Sequence, residues 1–434
     1  MSSPGERALD ADPPRPESSR VASLPFFYTA PIALGLAGVL LLKWGALALS
    51  TPWSSLTLAL THTLTLGFLT MSGFGVFYAL GSASGLLEAV RPRWSHAVYY
   101  SLVLGAGGLI WGTAQAQSGP VFFAVGAVGV MGVIFIVQNA RILRRGDAAE
   151  PLVRGLRLAL WGFGLAAFLG VWLAHGHGGM RFPGLRPLWM VVHLCIALLG
   201  WLGAMLVSAS GVALPSTFGA APLSKRALDW VLRGTALGIG VPFALLLYGY
   251  FFVPDVSQAR IEPWASAALL PALVAIWLVH PFLCLRALRS GTRVPGFDYW
   301  RSGLFLAPVV LGVAVAAWAM EDVRLGMLFG WLALFGWGAT LFSGLLVGTA
   351  PGLLMTSGPA SPHARRVPDW LDTASRIGLM LHRGALGAGA VGILTVSDGW
   401  CRLAGGLVLA DGGWLLFLLV RLLLESRPER IRAA

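Results

Sequence analysis

The sequence predicts an all-α, polytopic membrane protein in which twelve transmembrane helices form three pseudo-threefold repeats of a four-helix unit. Three observations predict it: the composition, the placement of the arginines and an internal repeat. The 434-residue chain is 56% hydrophobic and 12% charged, with a mean hydropathy of +0.75. Soluble domains carry about 25% charged residues, so a soluble fold is excluded. The natural unit is the spanning helix, at about 20 apolar residues each. Charge-free apolar stretches recur at approximately 24–48, 55–86, 95–116, 120–143, 152–174, 186–212, 228–252, 262–287, 300–318, 324–350, 372–396 and 400–424. We number them segments 1 to 12. Their connections are short and hold Pro, Gly or charge, so residues 24–424 make one transmembrane domain. Residues 1–23 are polar, Pro-rich and of mixed charge, with no apolar core of the signal-peptide kind. They read as a disordered cytoplasmic tail, and 425–434 as a second, short cytoplasmic tail.

The formal net charge is +12. In a soluble protein this would suggest nucleic acid; here the position of each charge matters more than the sum. Cytoplasmic connections carry excess Lys and Arg. With twelve spans, 23 basic residues fall on one side, in the two tails and loops 2–3, 4–5, 6–7, 8–9 and 10–11, and 5 on the other. Both termini are therefore expected in the cytoplasm, and the partner implied is the lipid bilayer, not nucleic acid. Missing one span would scramble the alternation. The three cysteines, Cys195, Cys284 and Cys401, form no CxxC pair and read as small buried hydrophobes. There is no P-loop, dinucleotide fingerprint, zinc-protease helix or nucleophile elbow.

The repeat lies in segments 2, 6 and 10. Segment 6 reads GWLGAMLVSASGVALP from Gly200 and segment 10 reads GWGATLFSGLLVGTAP from Gly336, while segment 2, GFLTMSGFGVFYALGS from Gly67, follows more loosely. The anchor glycines are 133 and 136 residues apart, and each interval holds four spans. Small residues at such spacing are also ordinary helix-packing devices. A sixteen-residue pattern recurring every four helices is more specific.

Ionisable residues within spans are functional candidates. His62 lies five residues before Gly67 and His193 seven residues before Gly200, at similar depth near the outer starts of segments 2 and 6. A neutral imidazole on a helix is a common iron ligand. It can equally be hydrogen-bonded to Thr or backbone within the bundle, and Thr61, Thr63 and Thr65 stand near His62. In repeat register the two histidines are offset by two residues, a rotation of about 200°, so shared ligation of one group does not follow. His280 precedes Pro281, which is expected to kink segment 8. Asp411 is midway along segment 12 and is expected to pair with a basic group, as a structural ion pair or a proton relay. His382 and Arg383 lie in segment 11. Lys43 and Arg421 are expected to snorkel to the interfaces. The loop sequence HGHGGM, with His175, His177 and Met180, carries soft copper-ligand types but reads best as a solvated loop.

The stretches HTLTLGFLTMSGFGVFYAL, HLCIALLGWLGAMLVSASGVALP and FGWLALFGWGATLFSGLLVGTAP resemble the repeat helices of subunit I of the heme–copper oxidase superfamily, the terminal oxidases and nitric oxide reductases. The resemblance spans all twelve segments in topology and is carried at motif level by segments 2, 6 and 10. It implies three four-helix arcs holding heme, a low-spin heme ligand at His62 and a metal-site histidine at His193. It also implies a bacterial plasma membrane and a redox protein partner. The sequence departs from the family where full activity needs ligands. Phe329 and Trp331 stand at the helix-10 His-x-His positions, and segment 7 holds no histidine. Heme b is thus the implied cofactor and copper is not expected. The implied role is electron transfer, gas response (nitric oxide or dioxygen) or assembly, without competence as an oxygen reductase. The NnrS-type membrane proteins, linked to nitric oxide stress, share twelve spans and heme, a likeness of architecture only. The alternative is a cofactor-free scaffold, a transporter or a structural subunit. In that case large aromatics, Phe329 and Trp331 among them, should fill the spaces that hemes would take.

Overall fold

The computed structural model describes residues 16–83, 92–176 (apart from Arg145 and Ala148), 186–253, 261–355 and 368–425. Every described element is helical, and twelve helices are long and apolar enough to cross a membrane. They are α1 Val21–Leu49, α2 Ser55–Gly81, α3 Arg93–Ala114, α4 Ser118–Arg141, α5 Pro151–Ala174, α6 Arg186–Phe218, α7 Lys225–Phe252, α8 Glu262–Leu288, α9 Phe297–Met320, α10 Val323–Gly348, α11 Asp369–Thr395 and α12 Asp398–Glu425. Each coincides with one apolar stretch of the sequence. The first span is longer at its start than the sequence predicts. The first helix already starts at Pro16, where a proline costs no hydrogen bond because first-turn amides have no partner. Ala22 and Ser23 are buried. Residues 1–15 and 426–434, and the His177–Met180 part of the HGHGGM loop, lie outside the described residues.

The three repeat helices make the centre. They are the most enclosed spans, with 83%, 78% and 72% of their apolar windows buried for α2, α10 and α6, against at most 50% elsewhere. They pack on one another. Trp201 of α6 donates from Nε1 to Thr70 Oγ1 of α2 at 3.2 Å, and Gly338 of α10 faces the side chain of Leu69.

Each central helix widens into a π-helix over eight residues, Thr63–Thr70, Ile196–Gly203 and Leu332–Ala339. The anchor glycines Gly67, Gly200 and Gly336 are each the fifth residue of that stretch. π-turns are rare and concentrate at functional places, so three in one register extend the repeat from sequence into backbone geometry. The glycines admit a neighbour each time: the first helix of the same unit for Gly67 and Gly336, and both Ile239 of α7 and Gly162 of α5 for Gly200. A Cβ on Gly67 would lie 2.8 Å from Ala33 of α1, and one on Gly336 would lie 2.4 Å from Leu306 of α9. A Cβ on Gly162 of α5 would lie 2.3 Å from the Gly200 backbone.

The outer helices close a ring. The fourth helix of each unit packs on the first helix of the next, α4 on α5, α8 on α9 and α12 on α1. The α12–α1 contact is the closest, because Gly405 and Gly412 meet the backbone of Gly38 and Gly35. The ring and the central trio leave three interstices, one flanked by each pair of central helices.

Among the described residues, α8 is the one outer helix with a π-turn, Ala275–Val279. It ends just before His280 and Pro281, so the expected proline distortion takes the form of a widened turn ahead of the missing amide. Lys43 lies over the Trp44 ring at 4.5 Å and Arg421 over Trp370 at 3.9 Å. Both charged heads thus reach aromatics near the span ends.

Candidate functional site

The interstice between α2 and α6 is hollow. A cavity of about 530 Å³ lies there, backed by α3, α4 and α5 and closed by α10. Its volume is within the range of small-molecule sites, about 300–1,000 Å³. The hollow exists because the facing side chains are short: Ala166, Ala167, Gly170 and Ala174 on α5, and Thr57, Thr61 and Thr65 on α2.

Both candidate histidines line it. His62 Nδ1 lies 2.7 Å from the Leu58 carbonyl oxygen. A carbonyl only accepts, so Nδ1 carries the hydrogen and Nε2 keeps its lone pair, the tautomer in which a histidine ligates iron. His193 is enclosed on its Nδ1 side, where no hydrogen bond forms, although the Ala166 backbone lies nearby. A Cβ on Gly170 would come 3.2 Å from His193 Cε1, so the glycine makes room for the ring. The two imidazoles are close enough to interact electrostatically.

The offset of about 200° between the histidines now has a meaning. A space between two neighbouring helices related by a rotation is lined by opposite faces of the two. Equivalent positions cannot both point into it; positions half a turn apart can. The offset that argued against a shared site is what a shared site requires.

The rest of the lining is aromatic and aliphatic, with the hydroxyls of Ser55, Thr70 and Thr113 and one charge. Arg186, at the start of α6, lies over the Trp53 ring at 5.6 Å. Phe329 and Trp331 form a wall of the cavity and do not fill it. Trp331 stacks on Phe335 at 4.6 Å and donates from Nε1 to the Leu386 carbonyl at 3.0 Å. Its ring lies where a Cβ on Gly389 would be. Phe329 packs on Trp277 with centroids 5.7 Å apart.

The other two interstices hold packed aromatic rings and bonded polar groups. Between α6 and α10, Trp277 of α8 meets Trp337 of α10 edge-on at 5.9 Å. His280, fully buried, has Nε2 at 3.0 Å from Ser210 Oγ and 3.2 Å from Cys284 Sγ. Between α10 and α2, where α11, α12 and α1 pack, Asp411 finds its expected basic partner in His382. His382 Nδ1 lies 2.7 Å from Asp411 Oδ2, and both side chains are buried. The other ring nitrogen faces the Phe335 carbonyl at 3.1 Å and Thr340 Oγ1 at 2.8 Å. The Thr340 hydroxyl already donates to the Gly336 carbonyl, so Nε2 is the donor to this group. The π-turn puts Phe335 and Gly336 carbonyls out of the regular i→i−4 ladder, and His382 and Thr340 serve them. The pair is thus a clamp on the π-turn of α10.

Among the described residues, no three His, Cys, Asp or Glu side chains come together as a metal site would need. No family model matches the chain, and no curated protein is similar to it. The protein is a twelve-helix, all-α polytopic membrane protein. The sequence singled out both cavity histidines. It did not show that His382 is the partner of Asp411, nor that Arg186 borders the cavity. The signal for His382 was present, since ionisable residues inside spans are few and must find each other.

Proposed function

We propose that the protein binds a b-type heme in the cavity between α2 and α6, where His62 and His193 would be the side chains that hold it. It would serve electron transfer, a response to nitric oxide or dioxygen, or assembly, in a bacterial plasma membrane with a redox protein as partner. The observation that carries this reading is that the two histidines border one cavity of suitable volume. When bound, the heme supplies one-electron redox chemistry and gas affinity. The chain's own residues would do the rest. Leu58 fixes the His62 tautomer and ring orientation through its carbonyl. Gly170 leaves space beside the His193 ring. Arg186 offers a cation for carboxylates at the mouth, and Phe163, Trp201 and Trp331 keep the interior dry.

The resemblance to subunit I of the oxidases supports the reading of the scaffold. Dioxygen reduction is not part of the proposal, because Phe329 and Trp331 stand where that chemistry would need imidazoles and α7 holds no histidine. A second reading, a cofactor-free scaffold or structural subunit, is favoured by the aromatic filling of the other two interstices. An absorption spectrum of the purified protein, made with heme in supply, decides between them. The expected result is a Soret band with the sharp reduced bands of bis-imidazole heme, lost in His62→Ala and in His193→Ala. A wild-type protein transparent in the visible range would overturn the heme reading and leave the scaffold.

A further inference from the structure

Four arginines cluster on the side of the molecule that carries most of the basic residues. Arg286 and Arg289 come from the end of α8, Arg293 from the loop after it and Arg301 from the first turns of α9. They line one pocket of about 850 Å³, and no acidic side chain shares the lining. Among the described residues none of the four has a carboxylate partner, whereas Arg154, Arg233, Arg376, Arg402 and Arg421 each have one. A concentration of unpaired like charge is self-repelling and calls for an anion.

Charge alone would suit a free phosphate. The apolar part of the pocket distinguishes the sources. Phe282 and Phe305 line the same space and are 64% and 55% exposed. The Arg301 guanidinium lies over Phe305 at 5.7 Å. Apolar rings facing the bilayer directly beside a cationic pocket match the amphipathic form of a phospholipid. Basic pockets between helix ends bind anionic headgroups in this way.

We infer that this pocket holds an anionic phospholipid of the phosphatidylglycerol or diphosphatidylglycerol class. The headgroup phosphates lie among Arg286, Arg289, Arg293 and Arg301, and the acyl chains run along Phe282 and Phe305. The site is independent of the heme reading, since it lies at the opposite ends of different helices.

The test uses the full chain, delipidated in detergent, with diphosphatidylglycerol or with phosphatidylcholine of the same acyl chains. Lipid retention is read by native mass spectrometry, and lipid-dependent melting gives a second measure. Wild-type protein should retain diphosphatidylglycerol selectively. R286Q/R289Q/R293Q should weaken that retention on the order of 100-fold, or about fivefold per arginine. The control R141Q/R144Q/R226Q removes the same charge from exposed arginines of the other basic loops and should change it less than about threefold, as expected of surface charges away from the site. Arg289→Gln alone, expected to lose about fivefold, covers the case in which the triple variant does not fold. Equal losses in the two triples would overturn the site, as would equal retention of phosphatidylcholine. Displacement of the lipid by inorganic phosphate at matched phosphate concentration would assign the arginines to a free anion instead.

Discussion

The α2–α6 and α6–α10 interstices are built from the same kinds of helix, with π-turns in the same register, yet one is hollow and the other solid. The backbone of the central helices therefore does not decide the filling; the outer helices do, and Trp277 sits in the π-turn of α8. In the hollow one, α5 presents Ala166, Ala167, Gly170 and Ala174, and α2 presents threonines. In the solid one, α8 sends in Trp277, which reaches Trp337 and Phe329. The polar groups differ in how they are held. His280 is packed against Ser210 and Cys284, and in the third interstice His382 is tied to Asp411, Thr340 and a π-turn carbonyl, although it also borders a groove of about 470 Å³ between α9 and α11. His62 and His193 border space. A repeated scaffold keeps its frame where side chains fill it and keeps a site where they stay short.

Two changes should strike the solid regions hardest. Trp277→Ala removes the largest plug and leaves a void among rigid helices; a loss of about 3–5 kcal/mol is expected, read from unfolding in detergent. His382→Ala strands the buried carboxyl of Asp411 and unclamps Phe335, and breaking such a pair costs about 3–5 kcal/mol. His62→Ala is the counterpart in the hollow region. Its ring already borders empty space, so stability should move by less than about 1 kcal/mol in the absence of ligand. If His62→Ala and His382→Ala prove equally damaging, the distinction between a site and a clamp fails. Gly170→Leu sharpens it further: a leucine directed at the His193 ring should abolish heme uptake while the melting temperature stays within a few degrees. Retained pigment in Gly170→Leu would move the site elsewhere.

Much of this plan was legible in the chain because it rests on composition and period. Twelve apolar stretches, the arginine alternation and the four-helix repeat need only the sequence, and so do His62 and His193. The π-turns were not legible. They shift the hydrogen-bond partner by one residue, and no residue type announces that shift; only the glycine at the fifth position marks it afterwards. The His382–Asp411 pair joins positions 29 apart on two helices, and their rotation about their own axes is set by packing. The same holds for the shared cavity. Two histidines half a turn out of register look unrelated until the helices stand side by side. The helical start at Pro16 was hidden by polar residues that resemble a tail, although Pro16 followed by Glu17 suits a first turn.

The smallest contrast lies where the hollow region meets its wall, at the first turns of α2 and α10. Ser54 caps α2, its hydroxyl accepting from Thr57 N at 3.0 Å. Asp322 caps α10, accepting from Arg324 N at 2.7 Å and Leu325 N at 3.3 Å. The Asp322 carboxyl is held below its usual value, first by its side-chain bond to Arg324 and then by that backbone amide. A carboxyl depressed in the folded state stabilises above its ordinary value, about 3.9, and the contribution is lost as pH falls through the depressed value. Serine does not titrate in this range. Between pH 6 and pH 3, amide exchange in the first turn of α10 should therefore accelerate more than in the first turn of α2, beyond the intrinsic change, and Asp322→Asn should flatten the difference. The effect is small because the cap is exposed and salt screens it. Phe329 and Trp331 lie just beyond that turn, so loosening there should reach the wall of the cavity before it reaches the solid interstices. Equal acceleration of both helix starts would show that the wall is no more labile than the rest of the frame.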